Sequence, residues 1–76
     1  MPGPRPKFPH SVVLPTAPMI DAASLREALG RSRGVIHLWV RLYGLPAPTR
    51  VGNGWLTRTA DVVRWCSSHN IAVIWV

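Results

Sequence analysis

The distribution of proline constrains this chain more than any other feature. Six of its eight prolines fall within the first 18 residues, beside Arg5 and Lys7, and the other two are Pro46 and Pro48. Because proline fixes φ and removes a backbone donor, residues 1–19 are predicted to form a flexible, Pro-rich basic arm. Residues 20–76 then remain for the folded part, which is enough for one small domain.

The charge of the chain is strongly positive. It has nine Lys and Arg, eight of them Arg, against three acidic residues, a formal charge of +6. Residues 20–76 hold seven of the arginines and all three acids, so the predicted domain itself carries +4. An anionic polymer or surface is therefore the expected partner. Because 47% of the residues are hydrophobic, the chain is too apolar for a disordered basic tail.

Cysteine content and apolar runs indicate the compartment. The single cysteine, Cys66, cannot form a disulfide within the chain, which is typical of a reducing environment. The longest apolar run, residues 71–76, is far shorter than the ~20 residues of a membrane-spanning helix. We therefore expect a cytoplasmic protein that does not contact a membrane.

Two short helices are predicted in the first half of the domain. Asp21 is expected to cap a helix that Gly30 ends, and Ser32 is expected to cap a second helix over residues 33–43. About three residues separate the two helices. This spacing is that of a helix-turn-helix, in which the second helix enters the DNA major groove.

The second helix has two distinct faces. Apolar residues at spacings of three and four predict its buried side, which comprises Ile36, Trp39, Val40 and Tyr43. Basic residues recur every four positions on another side, and we expect that side to bind DNA through Ser32, Arg33, Gly34, His37, Leu38 and Arg41. Each arginine there could donate a bidentate pair to guanine or neutralise phosphate. A solvated basic face is the alternative interpretation.

A β-hairpin follows the second helix. The Gly-Asn-Gly sequence at 52–54 supplies the positive-φ residues of a tight turn between two strands. The resulting two-stranded wing covers residues 50–58.

The end of the domain is predicted to form a helix and a strand. Thr59 is expected to cap a helix from Ala60 to about His69, whose buried stripe is Val62, Trp65 and Cys66. Residues 71–76 are β-branched and aromatic, which predicts a strand. An unpaired hydrophobic edge promotes aggregation, so this strand is expected to join the wing or to pair with another copy of the chain.

Several residues have a structural explanation beside a functional one. Trp39 and Trp65 lie on apolar stripes and are expected in the core, whereas the roles of the other two tryptophans stay open. Cys66 and His69 are one helical turn apart, but two ligands do not complete a zinc site. Neither a cleft nor an orienting group supports them as nucleophile and base. We expect no metal, no cofactor and no catalytic residue.

This order of elements resembles a known family. The resemblance spans about residues 20–66 and is carried by Leu29-Gly30, Ser32-Arg33, residues 36–41, the Leu45-Pro46-Ala47-Pro48 connector, Arg50-Val51-Gly52, Trp55-Leu56, and Asp61-Val62 with Trp65. The chain is similar to the winged helix-turn-helix proteins that include excisionases, AlpA-type phage regulators and MerR-type DNA-binding domains. This implies a small α+β fold with three short helices and a two- or three-stranded wing. It further implies that the second helix lies in the major groove. The hairpin is then expected to touch the minor groove or backbone through Arg50, Asn53 and Arg58.

The expected function is double-stranded DNA binding without catalysis. Arg5 and Lys7 of the arm are weaker candidate contacts. So small a module is expected to act as a homodimer or as a cooperative array on DNA. Residues 71–76 are one route by which copies could associate. A recombinase or another protein is a further possible partner. The implied task is that of an excisionase-like recombination directionality factor or a transcription regulator. Its setting would be a phage or mobile element, at the nucleoid of a bacterial cell or phage-infected host.

Two alternatives to this function stay open. One is recognition of DNA for packaging, because small terminase subunits share the pattern. The other is a protein-interaction module or inhibitor that adds its C-terminal strand to a partner's sheet.

Overall fold

A computed structural model describes residues 8–76, so the predicted contacts of Arg5 and Lys7 lie outside the described residues. The fold has three helices and two sheets, which confirms the α+β class. Its elements in chain order are β1 (Ser11–Leu14), β2 (Met19–Asp21), α1 (Ala22–Leu29), α2 (Arg33–Tyr43), β3 (Thr49–Val51), β4 (Gly54–Arg58), α3 (Thr59–Ser68) and β5 (Ala72–Trp75).

The caps of α1 and α2 confirm the predicted helix boundaries. The carboxylate of Asp21 accepts a hydrogen bond from the backbone N–H of Ser24 at 2.6 Å. The chain leaves α1 at Gly30, with φ of 65°, and leaves α2 at Gly44, with φ of 72°. These left-handed conformations favour glycine because a Cβ would be strained there. The hydroxyl of Ser32 caps α2 as predicted.

The start of α3 differs from the prediction. Arg58 occupies the cap position and makes no side-chain capping bond, whereas Thr59 is the first helical residue. The backbone N–H of Thr59 donates to the carbonyl of Pro18 at 3.0 Å, and the threonine side chain is buried. Because Thr59 packs against the residues just before β2, its hydroxyl does not occupy the capping position.

The larger sheet has three antiparallel strands in the order β2-β4-β3. Its hairpin, β3–β4, turns at Gly52, whose φ of 60° accounts for glycine in this turn, as the sequence indicates. The third strand comes from Met19–Asp21, immediately before α1. The sheet that contains the hairpin is thus three-stranded, and its third strand is not the C-terminal one.

The smaller sheet corrects two predictions at once. β5 pairs in parallel with β1, so the C-terminal strand joins neither the wing nor, within this sheet, another copy of the chain. Its partner lies in the segment predicted to be a flexible arm, and the arm boundary at residue 19 is therefore wrong. Pro9 and Pro15 flank β1 without interrupting its ladder, and the alternating side chains Val12 and Leu14 are fully buried.

The core lies between the helices and the two sheets. Trp39 and Trp65 are both buried, as predicted, with ring centroids 6.1 Å apart in a stacked arrangement. The indole N–H of Trp65 donates to the backbone carbonyl of Tyr43 at 2.8 Å. Phe8 packs edge-on against these rings and extends the core to the first described residue. The buried hydrophobic residues are Val12, Leu14, Ile20, Leu25, Leu29, Ile36, Trp39, Leu45, Val62, Trp65, Cys66 and Ile71.

Candidate nucleic-acid interface

The outer face of α2 and its cap residue Ser32 together carry all the residues proposed from the sequence for this helix. Ile36 and Trp39 turn into the core, and a period of 3.6 residues places the opposite positions in solvent. Each member of the predicted set is exposed: Ser32, Arg33, Gly34, His37, Leu38 and Arg41. Leu38 is 48% exposed although it is apolar, which leaves a methyl-rich contact point among basic side chains.

The guanidinium groups of this face are available for an anion. Within residues 8–76, neither the Arg33 nor the Arg41 side chain has a hydrogen-bond or ion-pair partner. An arginine presents five N–H donors in a planar fork, which matches phosphate or the edge of guanine. The face can therefore bind either without first breaking an intramolecular contact.

The hairpin presents one arginine and one exposed aromatic ring together. Arg50 and Trp55 are opposite each other in the β3–β4 register, and the guanidinium carbon lies 5.9 Å from the ring centroid. Arg50 also donates from Nε to the carbonyl of Gly52 at 3.4 Å. Asn53 is exposed at the turn, as predicted for the tip of a wing.

Arg58 does not belong with the hairpin tip. It stands at the far end of β4, about 13 Å along the strand from Gly54 at ~3.3 Å per residue. It pairs in register with Met19 and lines a separate surface with Trp75. The structure thus groups Arg50 and Asn53 but places the third predicted wing residue elsewhere.

An open groove of about 370 Å³ runs between the helices and the hairpin. Arg26 of α1 lines it together with Arg33 and His37 of α2, while Pro48 and Trp55 form the other side. No acidic residue lines this part of the described structure. The local electrostatic potential is therefore positive, and apolar side chains between the basic groups lower the local dielectric.

Sequence reasoning missed two residues of this groove. Arg26 lies near the end of α1, and only the folded chain brings α1 and α2 together along the groove. The sequence leaves the role of Trp55 open, although the alternation of side chains along a strand indicates which way its ring points. It shares a face of β4 with the buried Thr57, so its ring points toward the helices and continues past the edge of the core.

A second surface is apolar. Val13 and Ile74 are opposite each other in the β1–β5 register and both are about half exposed. Val76 continues this surface at the C-terminal end, whereas Trp75 pairs in register with the buried Leu14 and lies on the opposite face, beside Arg58. β1 and β5 each pair with one strand only in the described structure, so each has an open edge.

No family model, curated protein or solved structure matches this chain.

The remaining chemical groups lie in or near the core. Burial raises the pKa of the Cys66 thiol, which disfavours the nucleophilic thiolate. His69 is 2.9 Å from the carbonyl of Trp65 through Nδ1, and its ring lies against Phe8 and Trp65. Among residues 8–76, no three side chains of metal-binding type are grouped. No helix in the same range is long and apolar enough to cross a membrane.

Proposed function

We propose that this chain binds double-stranded DNA as a winged helix-turn-helix domain and catalyses no reaction. The observation that carries the proposal is the juxtaposition of two features on one surface. The exposed basic face of α2 and the hairpin with Arg50 and Asn53 flank a groove that no acidic residue of the described chain lines.

The topology supports this proposal. A strand precedes α1, three residues separate α1 from α2, and β3 and β4 follow directly. The first of these strands pairs with the last, giving the order β2-β4-β3. A helix-turn-helix followed by a hairpin presents its second helix and its wing to neighbouring grooves of a duplex.

The proposed contacts follow from the dimensions of B-DNA. The major groove is about 12 Å wide and admits an α-helix, so α2 enters it. Arg41 then donates to guanine O6 and N7, and Leu38 contacts a thymine methyl group. The hairpin lies on the adjacent minor groove or backbone through Arg50 and Asn53. Phosphate neutralisation by arginine supplies most of the affinity.

The proposed biological task is architectural or regulatory. Such a domain, acting in the cytoplasm of a bacterial cell or phage-infected host, would direct excisive recombination or switch a promoter of a phage or mobile element. A single module buries only ~600–1,000 Å², so we propose a homodimer or a cooperative array on DNA, beside a recombinase or another protein partner. Recognition of DNA for packaging would use the same surface.

Arg41→Ala tests the assignment of the recognition helix. Loss of a bidentate arginine contact, ~1–3 kcal/mol, is expected to weaken duplex binding by about five- to 150-fold. Fluorescence anisotropy with a labelled duplex measures the affinity, and circular dichroism confirms that the variant is folded. Arg64→Ala is the matched control, because Arg64 is an exposed arginine of α3 outside the groove. Equal affinities of both variants would remove α2 from the interface.

The apolar surface favours a second candidate function, that of a protein-interaction module. An open edge of β5 with exposed Ile74, Trp75 and Val76 can accept a strand from a partner's sheet. If this function is the main one, Ile74→Lys will abolish binding of the partner protein. The affinity of the chain for duplex DNA will then have no bearing on its function. If DNA binding is the main one, wild-type protein will bind random duplex well below millimolar concentration at ~50 mM salt.

A further inference from the structure

The groove between α2 and the hairpin contains groups that base contacts do not require. Arg33 and His37 face into it, and Arg26 adds a third basic side chain from a different helix. Gly34 and Arg41 lie outside the groove, on the part of α2 that is opposite the buried Ile36 and Trp39. The exposed surface of α2 thus has a groove side and an outward side.

Duplex geometry gives the groove side a specific occupant. A helix in the major groove and a hairpin in the adjacent minor groove lie on opposite sides of the sugar-phosphate strand that separates these grooves. That strand must pass between the two protein elements. In this chain the space between them is the groove of about 370 Å³.

We propose that one sugar-phosphate strand of the duplex passes through this groove, with Arg26 and Arg33 binding its phosphates and Trp55 packing against its deoxyribose. This inference rests on the proposed DNA-binding function and deepens it. It adds Arg26 and Trp55 to the interface and assigns Arg33 to the backbone instead of to a base.

The chemistry of the lining fits a sugar-phosphate strand. Guanidinium groups bind phosphate oxygens through charge-assisted pairs of hydrogen bonds, and Arg26 and Arg33 approach the groove from two helices. Trp55 is 52% exposed, and its ring offers an apolar surface to sugar carbons. Its indole N–H has no partner within residues 8–76 and can donate to a phosphate oxygen. The guanidinium of Arg50 lies over the Trp55 ring and makes the electrostatic potential positive on this side of the groove.

The division of α2 has a measurable consequence for sequence dependence. Phosphate contacts carry no sequence information, whereas base contacts do. Arg26→Ala and Arg33→Ala should therefore weaken binding equally for every duplex sequence and make the salt dependence shallower. Arg41→Ala should weaken binding most for the preferred sequence.

Salt titrations test the phosphate contacts. Each of Arg26→Ala and Arg33→Ala is expected to reduce the slope of log K against log salt concentration by about 0.9, the value for one phosphate. Arg64→Ala removes the same charge outside the groove and is expected to keep the wild-type slope. Wild-type slopes in both groove variants, with folded protein by circular dichroism, would overturn the proposal while leaving duplex binding intact.

Acrylamide quenching tests Trp55 directly. Trp39 and Trp65 are buried, so a Trp75→Phe protein reports on Trp55 and a Trp55→Phe protein reports on Trp75, which is equally exposed on the other surface. Saturating random duplex should protect the Trp75→Phe protein from quenching and leave the Trp55→Phe protein unprotected. Saturated binding without protection of Trp55 overturns the strand assignment alone. Absence of duplex binding by anisotropy overturns the proposed function and this inference together.

Discussion

Trp65 illustrates how individual residues hold this small core together. Its ring stacks on Trp39, receives the edge of Phe8 at 5.3 Å, and donates its N–H to Tyr43. Aromatic pairs of this kind contribute ~0.5–1.5 kcal/mol each beyond the area that they bury. Next to Trp65 in sequence, Cys66 is fully buried in the same core and provides a chemical probe of it.

The Cys66 thiol should be unreactive in the native protein. Thiol reagents attack the thiolate, and burial both raises the pKa of Cys66 and blocks access to it. A domain with ~5 kcal/mol of stability is unfolded less than about one part in 10³ of the time, so labelling should be at least that much slower than in denaturant. Absorbance assays with an aromatic disulfide reagent, with and without guanidinium chloride, measure both rates. Equal rates would contradict the burial of Cys66.

Residue-level prediction succeeded where the relevant chemistry is local. The hydroxyl of Ser32 and the carboxylate of Asp21 cap helices that begin within three residues of them, so the sequence shows both partners. Thr59 carries the same type of signal, but the distant Pro18 engages its backbone and packing buries its side chain. A cap is predictable only when tertiary contacts leave it in place.

At the scale of elements, α1 depends on its N-terminal cap and the fold depends on β1. The hydrogen bond from the Ser24 backbone, followed by that from the Ser24 side chain, lowers the pKa of Asp21. A carboxyl with a lowered folded pKa stabilises the fold above its unfolded pKa, and this contribution is lost as pH falls through the folded value. β1 matters because it pairs with β5 and buries two side chains.

The thermal midpoint should reveal the Asp21 cap. Wild-type protein should lose stability as pH falls below the ordinary aspartate range of about 4, whereas Asp21→Asn keeps a capping oxygen and should lose less over the same interval. Melting curves between neutral pH and about pH 3 provide the comparison. Glu27→Gln removes an exposed carboxylate that caps no helix and should reproduce the wild-type profile. Identical profiles for wild type and Asp21→Asn would show that the cap does not depend on charge.

Paired variants of β1 should separate its two faces. Val12 and Leu14 are buried, at 1% and 0% exposure. Truncating both to Ala in one protein should lower the free energy of unfolding by about 4 kcal/mol or more. This approaches the whole stability of a small domain. Ser11→Ala with Val13→Ala alters the outward face of the same strand and should change stability by less than about 1 kcal/mol. Denaturant midpoints measure both, and equal losses would contradict the assignment of β1 to the core.

Element-level prediction placed the C-terminal strand correctly but missed β1 and its pairing with β5, for a physical reason. α1, α2 and the β3–β4 hairpin form through contacts between near neighbours, and the sequence places all of them correctly. β1 and β5 are stabilised by a parallel pairing between opposite ends of the chain. Nothing within either segment identifies the other as its partner, and the flanking prolines made Ser11–Leu14 resemble part of an arm.

At the scale of the whole molecule, basic and apolar surfaces are separate. The basic surface holds Arg26, Arg33, Arg41 and Arg50 around α2 and the hairpin, and the apolar one lies on the β1–β5 sheet. Helix periodicity predicted the outward positions of α2, because a helix face is a local property. The groove brings α1, α2 and the hairpin together, so Arg26 and Trp55 became visible only in the folded chain.

Salt dependence of duplex binding tests the central proposal most directly. If the four arginines of the basic surface neutralise phosphate, log K for random duplex should fall against log salt concentration with a slope of about −3.6. Each arginine that binds a base instead makes the slope about 0.9 shallower. Anisotropy titrations of a labelled duplex from ~50 to 200 mM salt measure this slope. We predict sub-millimolar affinity at the low end and a slope steeper than about −2. Millimolar affinity at ~50 mM salt, or a flat dependence, would contradict the account of this protein as a DNA-binding domain.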